Sequence, residues 1–127
     1  MKLVFVLLAL LLFACDDGAR AIDPVWGKQA CAHCAMLLSD ARFGAELTTE
    51  GGDRFFFDDP GCMAAYVREK APRVRGMWVH EDGAWVDAKS ARYERAASPM
   101  DYGFAPAKGG AFDWAAVVKA SDRGDAS

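Results

Sequence analysis

The sequence predicts a small single α+β domain, and three observations support that expectation. Residues from Arg42 onward alternate like half-buried strands, a helical segment opened by Pro60 interrupts them, and the strand–helix–strand rhythm of parallel-sheet folds does not recur. The chain has 127 residues, 18 acidic and 15 basic side chains, and 53% hydrophobic residues. That is too short for two conventional domains, too apolar for a disordered chain and too acidic for a general nucleic-acid binder, so no nucleic-acid partner is expected.

The first segment stands apart from the fold. Leu3 to Phe13 (LVFVLLALLLF) is an uncharged run behind Lys2, short of the ~20 residues a membrane-spanning helix needs and suited to a secretory signal. It ends in Leu12-Phe13-Ala14-Cys15, which resembles the lipobox of bacterial lipoproteins. The resemblance implies that residues 1–14 are a signal peptide and that Cys15 is lipidated. With Asp16 behind that cysteine, it also implies retention on the periplasmic face of the inner membrane. An ordinary signal peptide cut at Ala14 or around Ala19 to Ala21 is the alternative. Residues 15–28, polar and turn-rich, read as a tether, and packing is expected to begin at Trp26.

Residues 29–120 form the expected domain. Arg42 to Thr48 places Phe43, Ala45 and Leu47 on one face and Arg42, Gly44, Glu46 and Thr48 on the other, the period of a half-buried strand. Glu50-Gly51-Gly52-Asp53 is a hairpin turn leading to a second strand, Arg54 to Phe57. Asp59 suits a helix N-cap and Pro60 the first helical position, with Met63, Tyr66 and Val67 on one face before the stop near Pro72. Val74 to His80 and Ala84 to Ala88 form a hairpin around Glu81-Asp82-Gly83. A strand over Ser90 to Arg95, a loop at Ser98-Pro99-Met100, a strand edge over Gly103 to Ala107 and a helical turn or two over Trp114 to Ala120 complete the domain, and 121–127 is a frayed tail.

The chemistry-bearing residues are sulfur-rich. Of the four cysteines, Cys31, Cys34 and Cys62 remain once Cys15 is set aside, and an odd number in an oxidising compartment argues against a purely structural disulfide framework. Cys31-Ala32-His33-Cys34-Ala35-Met36 sets thiols at the spacing that closes round one metal ion or forms a redox disulfide. Thioethers are soft donors suited to Cu(I), and Cys62-Met63 and Met100 repeat the pairing, although Met63 and Met77 also fit core positions. Cys62, in the first turn behind an Asp59 cap, is expected to favour thiolate near the positive end of the helix dipole. His33 and His80 are open candidates as ligands.

These residues bear a resemblance. The lipobox cysteine, Cys31-x-x-Cys34-Ala35-Met36, Phe57-Asp58-Asp59-Pro60-Gly61-Cys62-Met63, Ser98-Pro99-Met100-x-Tyr102-Gly103-Phe104 and Gly109-Gly110 look like the NosL family, lipoprotein copper chaperones for nitrous oxide reductase. The resemblance runs from about Cys15 to Trp114. It implies two related ββαβ-type units, the second abbreviated here, and a non-catalytic carrier of one Cu(I). The implied partner is nitrous oxide reductase or its membrane-associated ABC-type maturation complex. Carried over position by position, the implied ligands are Cys34 and Met100 first, Met36 next, with Cys31 or Cys62 completing or relaying. Ala35 stands where the family has Gly, so a positive φ there would be strained. No helix is expected between Phe104 and Gly109, where the family's second unit has one. Two other readings remain open: a CxxC thiol–disulfide oxidoreductase, and a zinc-binding interaction module using Cys31, Cys34, Cys62 and a histidine.

Overall fold

The computed structural model describes residues 17–124; the targeting segment, Cys15 and the last residues of the tail lie outside the described residues. The element order is β1 (Ala45–Thr49), β2 (Arg54–Phe57), α1 (Pro60–Lys70), β3 (Val74–Glu81), β4 (Ala84–Asp87), β5 (Tyr93–Arg95), β6 (Phe104–Pro106) and α2 (Trp114–Ser121). The domain is α+β, as the sequence predicts. The larger sheet has the order β2-β1-β3-β4 and the smaller pairs β5 with β6, every pairing antiparallel. The first part therefore runs ββαβ with β4 added, and the second runs β5, β6, α2.

Local chemistry sets most boundaries. The β3–β4 turn places Asp82 at φ 48° and Gly83 at φ 81°, both left-handed, which is the twist a two-residue hairpin needs. Asp59 caps α1 with its side chain accepting from Gly61 N–H, Pro60 follows, and Ala71 at φ 45° ends the helix through its N–H to the Val67 carbonyl. Asp113 caps α2 in the same way, extending the expected turn or two to a helix packed on α1. The strand expected over Ser90 to Arg95 shortens to Tyr93–Arg95 and the edge at Gly103 to Ala107 shortens to Phe104–Pro106.

The first strand differs most from expectation. Ala41–Phe43 is a 3-10 turn capped by Asp40, so the strand starts only at Ala45, and all five of its residues are buried. Ala45 and Leu47 face the core with Phe57, Cys62, Met63, Met77 and Val79. The opposite face is not solvated because residues 18–26 lie along it. Thr48 Oγ1 donates to the Gly18 carbonyl at 2.8 Å, and Ile22 N–H donates to both Glu46 carboxylate oxygens at 3.1 and 3.0 Å. Trp85 Nε1 donates to Asp23 at 2.8 Å, and Trp26 stacks on Trp85 within 7° of parallel. Trp26 also crosses Gly44, where a β-carbon would come within 2.7 Å of its ring. The segment read as a tether is thus laid against the sheet from Gly18 onward.

Glu46 is fully buried and forms an ion pair with Arg54 on the neighbouring strand. The carboxylate is out of water only because both a guanidinium and the Ile22 N–H meet it, and losing one partner of such a pair is more costly than never having built it. Glu46→Ala is expected to lower unfolding free energy by about 3 kcal/mol and to strip hydrogen-exchange protection from the Ile22 amide. Urea unfolding and amide exchange check both; unchanged protection at Ile22 would show that the segment holds to the sheet without the carboxylate.

Candidate metal centre

Two stretches of backbone meet at the end of β2. In the first, an antiparallel bridge between Ala30 and Leu37 closes a loop, Cys31 N–H donates to the Met36 carbonyl at 2.7 Å, and Ala35 N–H donates to the Cys31 carbonyl at 3.0 Å. The turn needs a left-handed residue, and Ala35 supplies it at φ 66°, so the β-carbon sits in the strained conformation its place in the sequence made conditional. Ala32 N–H donates to the Phe56 carbonyl at 2.8 Å, which fixes the loop to β2. The second stretch is the β2–α1 junction, Asp58 and Asp59, with Cys62 in the first turn of the helix.

The meeting gathers four ligand atoms. The sulfurs of Cys31, Cys34 and Cys62 and a carboxylate oxygen of Asp58 all lie within 4.8 Å of one another. Cys34 Sγ–H donates to Asp58 Oδ1 at 3.2 Å, Cys62 Sγ lies 3.8 Å from the same oxygen, and Cys34 N–H points at Cys31 Sγ at 3.5 Å. Cys31 and Cys62 are buried and Cys34 is half-buried, so the cluster meets solvent on the Cys34 side.

Protonation is divided unequally among the thiols. The hydrogen bond from Cys62 holds the Cys31 thiol down to about 6, against burial, with the backbone N–H groups of Cys34, Asp58 and His33 helping. Burial, reinforced by Asp58 and Cys31, pushes Cys34 up to about 12, although the backbone at Met36 opposes it. Cys62 is raised above the ordinary thiol value because its proton bonds Cys31, it is buried, and negative charge surrounds it. The thiolate expected at Cys62 therefore resides on Cys31: a neighbouring thiolate outweighs the pull of the helix end.

Asp58 is a candidate ligand that the sequence alone does not single out. Two acidic residues stand before Pro60 and only one can cap the helix, which was the available signal. Asp59 takes the cap, with Oδ1 accepting from Gly61 N–H at 2.9 Å and Oδ2 accepting from Met100 N–H at 3.1 Å. Burial raises its carboxyl above the usual range, partly offset by Ser98, Gly61 and Met100. Tyr102 packs its ring on Gly61, where a β-carbon would lie 2.0 Å from Cγ. The Ser98-Pro99-Met100 loop is thereby tied to the helix that bears Cys62, and Met100 packs half-buried on the core. Met36 contributes its carbonyl to the cysteine loop, and the residue is 58% exposed. Met63 and Met77 are buried in the core. His80 stands edge-on to Trp26 and Trp85 at 5.6 and 5.0 Å. Arg123, at the start of the expected frayed tail, lies 3.7 Å over the Tyr102 ring and bonds the Met100 carbonyl.

Three thiols and a carboxylate this close form a site able to hold one metal ion. The chain matches no family model, no curated protein and no solved structure.

Thiolate is the form that binds, so protons compete with metal and affinity rises with pH. Above about pH 6 Cys31 is already ionised, and recruiting Cys34 and Cys62 releases their protons; below it Cys31 must also lose one, and the dependence steepens. Competition titrations between about pH 5 and 8 with a proton-release indicator check this. Affinity independent of pH would mean that the sulfurs are not the donors.

Proposed function

We propose that this chain is a Cu(I) carrier anchored by a lipid on Cys15 at the periplasmic face of the inner membrane. It holds one ion on Cys31, Cys34 and Cys62 and passes it on for assembly of the nitrous oxide reductase copper centre. The observation behind this reading is the convergence of three sulfurs, with a single oxygen, at one end of the sheet. Soft thiolates match Cu(I), which is content with two or three donors and so leaves room for a partner's ligand. Cys34, half-buried at the edge of the cluster, is where an incoming donor gains access. Met100 and Met36 are proposed as additional thioether donors during exchange, and the resemblance to the NosL family supplies the client. A membrane anchor would confine the search for a membrane-bound maturation complex to a surface, raising effective concentration without new contacts.

Asp58 favours a second reading, a zinc site, because Zn(II) takes four donors in a closed tetrahedral shell and accepts carboxylate oxygen. The two separate at that residue. For a Cu(I) carrier, anaerobic titration gives about one ion per chain, Cys34→Ser weakens binding by orders of magnitude, and Asp58→Asn changes Cu(I) affinity little. For a zinc module Asp58→Asn removes most of the Zn(II) affinity. Cu(I) binding unchanged in Cys34→Ser would overturn the site, and a reversible dithiol couple with disulfide reductase activity without metal would move the assignment to redox chemistry. The anchor has its own check: Cys15→Ser should shift the chain from the membrane fraction to the soluble periplasmic fraction, and an unaltered distribution refutes lipidation.

A further inference from the structure

Among the described residues, the one buried side-chain nitrogen or oxygen with no hydrogen-bonding partner is His33 Nδ1. Its other ring nitrogen, Nε2, faces the Glu69 carboxylate, 3.3 and 3.2 Å from the two oxygens. An ionised carboxylate only accepts, so Nε2 bears a hydrogen. In the neutral ring Nδ1 is then a bare lone pair; in the charged ring it would be a buried N–H without an acceptor. A buried polar atom calls for a partner in either state, and a metal ion is one that the bare lone pair can take.

The pairing has a chemical meaning. Histidines that bind metal ions donate the second ring N–H to a carboxylate or carbonyl, which fixes the tautomer, aims the ring and raises the basicity of the ligating nitrogen. His33 meets that description and lies in the loop between Cys31 and Cys34. We propose that His33 is a further donor, through Nδ1, to the ion held by the cysteine cluster, with Glu69 as its positioning residue. This rests on the metal-carrier reading above.

The imidazole is not among the ligand atoms gathered within 4.8 Å, so under this proposal it turns toward the ion about its own side-chain bonds while the loop stays held at Ala32. The Glu69 side chain, half-exposed near the end of α1, can follow the ring. For Cu(I), nitrogen is a weaker partner than thiolate. His33 is therefore the donor that closes the coordination shell of the waiting carrier and the first one displaced when a partner's ligand enters.

The test uses the full chain with 15N-labelled imidazoles, titrated anaerobically with Cu(I). There are two histidines, and His80, held between Trp26 and Trp85, is the internal control. The His33 Nδ1 resonance should shift on loading while that of His80 stays put, and His33→Ala should weaken Cu(I) binding about tenfold. Glu69→Gln should mix the His33 tautomers in the unloaded chain and give a smaller loss of affinity. Unchanged His33 resonances in a chain that does bind Cu(I) would overturn the proposal and leave the cysteine site standing. So would wild-type affinity in His33→Gln, which keeps a hydrogen bond to Glu69 but no imidazole. Failure of the wild-type chain to bind Cu(I), or binding unaffected by Cys34→Ser, removes the cysteine site and this proposal together. Unfolding curves of the variants separate lost affinity from lost structure.

Discussion

The junction between β2 and α1 is the constraint from which the rest of the site follows. Two adjacent carboxylates must leave the end of one strand and go separate ways, because a single cap position exists. Asp59 turns into the helix, satisfies Gly61 N–H and reaches the Met100 amide, which binds the loop before β6 to the helix N-terminus. Asp58 is left facing the other way and receives the Cys34 thiol. The same junction fixes Cys62 in the first turn, so one short stretch positions a sulfur, an oxygen and the anchor of a distant loop. The cysteine loop needs only the Ala32–Phe56 hydrogen bond to arrive at the same place.

A second carboxylate, Glu46, plays the corresponding part on the far face of the sheet. A central strand covered on both sides has no solvent face on which to put a charge, yet the sequence places Glu there. The resolution is a partner from the neighbouring strand, Arg54, and a backbone donor, Ile22, from a segment more than twenty residues upstream. The incoming chain is thus part of the sheet's second layer.

Features decided by neighbours in sequence were legible in the sequence. The Asp59–Pro60 cap, the Asp82–Gly83 hairpin turn and the core positions of Met63 and Met77 all follow from local chemistry or periodicity. What escaped was decided across the fold. Alternation in β1 implies a wet face, and only residues 18–26 lying over that face explain its burial. Asp58 was hidden because a neighbouring acid already had a sufficient role. A helix end favours thiolate at Cys62, but the closer Cys31 sulfur outweighs it. The sulfur of Met36 and Met100 is plain in the sequence, but residue type does not say where a side chain points, and Met36 is largely in solvent. The left-handed requirement at Ala35 was visible only as a condition, since φ is set by the bridge that closes the loop.

Charge balance sets the terms on which so compact a set of thiols can take up an ion. Three thiolates beside Asp58 would place several negative charges in a buried volume, and burial without compensation penalises each of them. The apo site avoids this by ionising Cys31 alone and keeping the other protons in hydrogen bonds to sulfur and carboxylate. A monovalent soft ion that stops at two donors, Cys31 and Cys34, leaves one excess charge on the sulfurs and a second on Asp58 beside them; one that also takes Cys62 needs that proton released as well. A divalent ion that demands four donors must draw in Cys62 and Asp58 together, displacing the hydrogen bonds that keep the apo cluster in order. Asp58 is then either an acceptor that keeps a proton waiting or a ligand that closes a shell. The protonation of Cys62 tracks the difference: its proton is kept where two sulfurs suffice and lost where a third is drawn in.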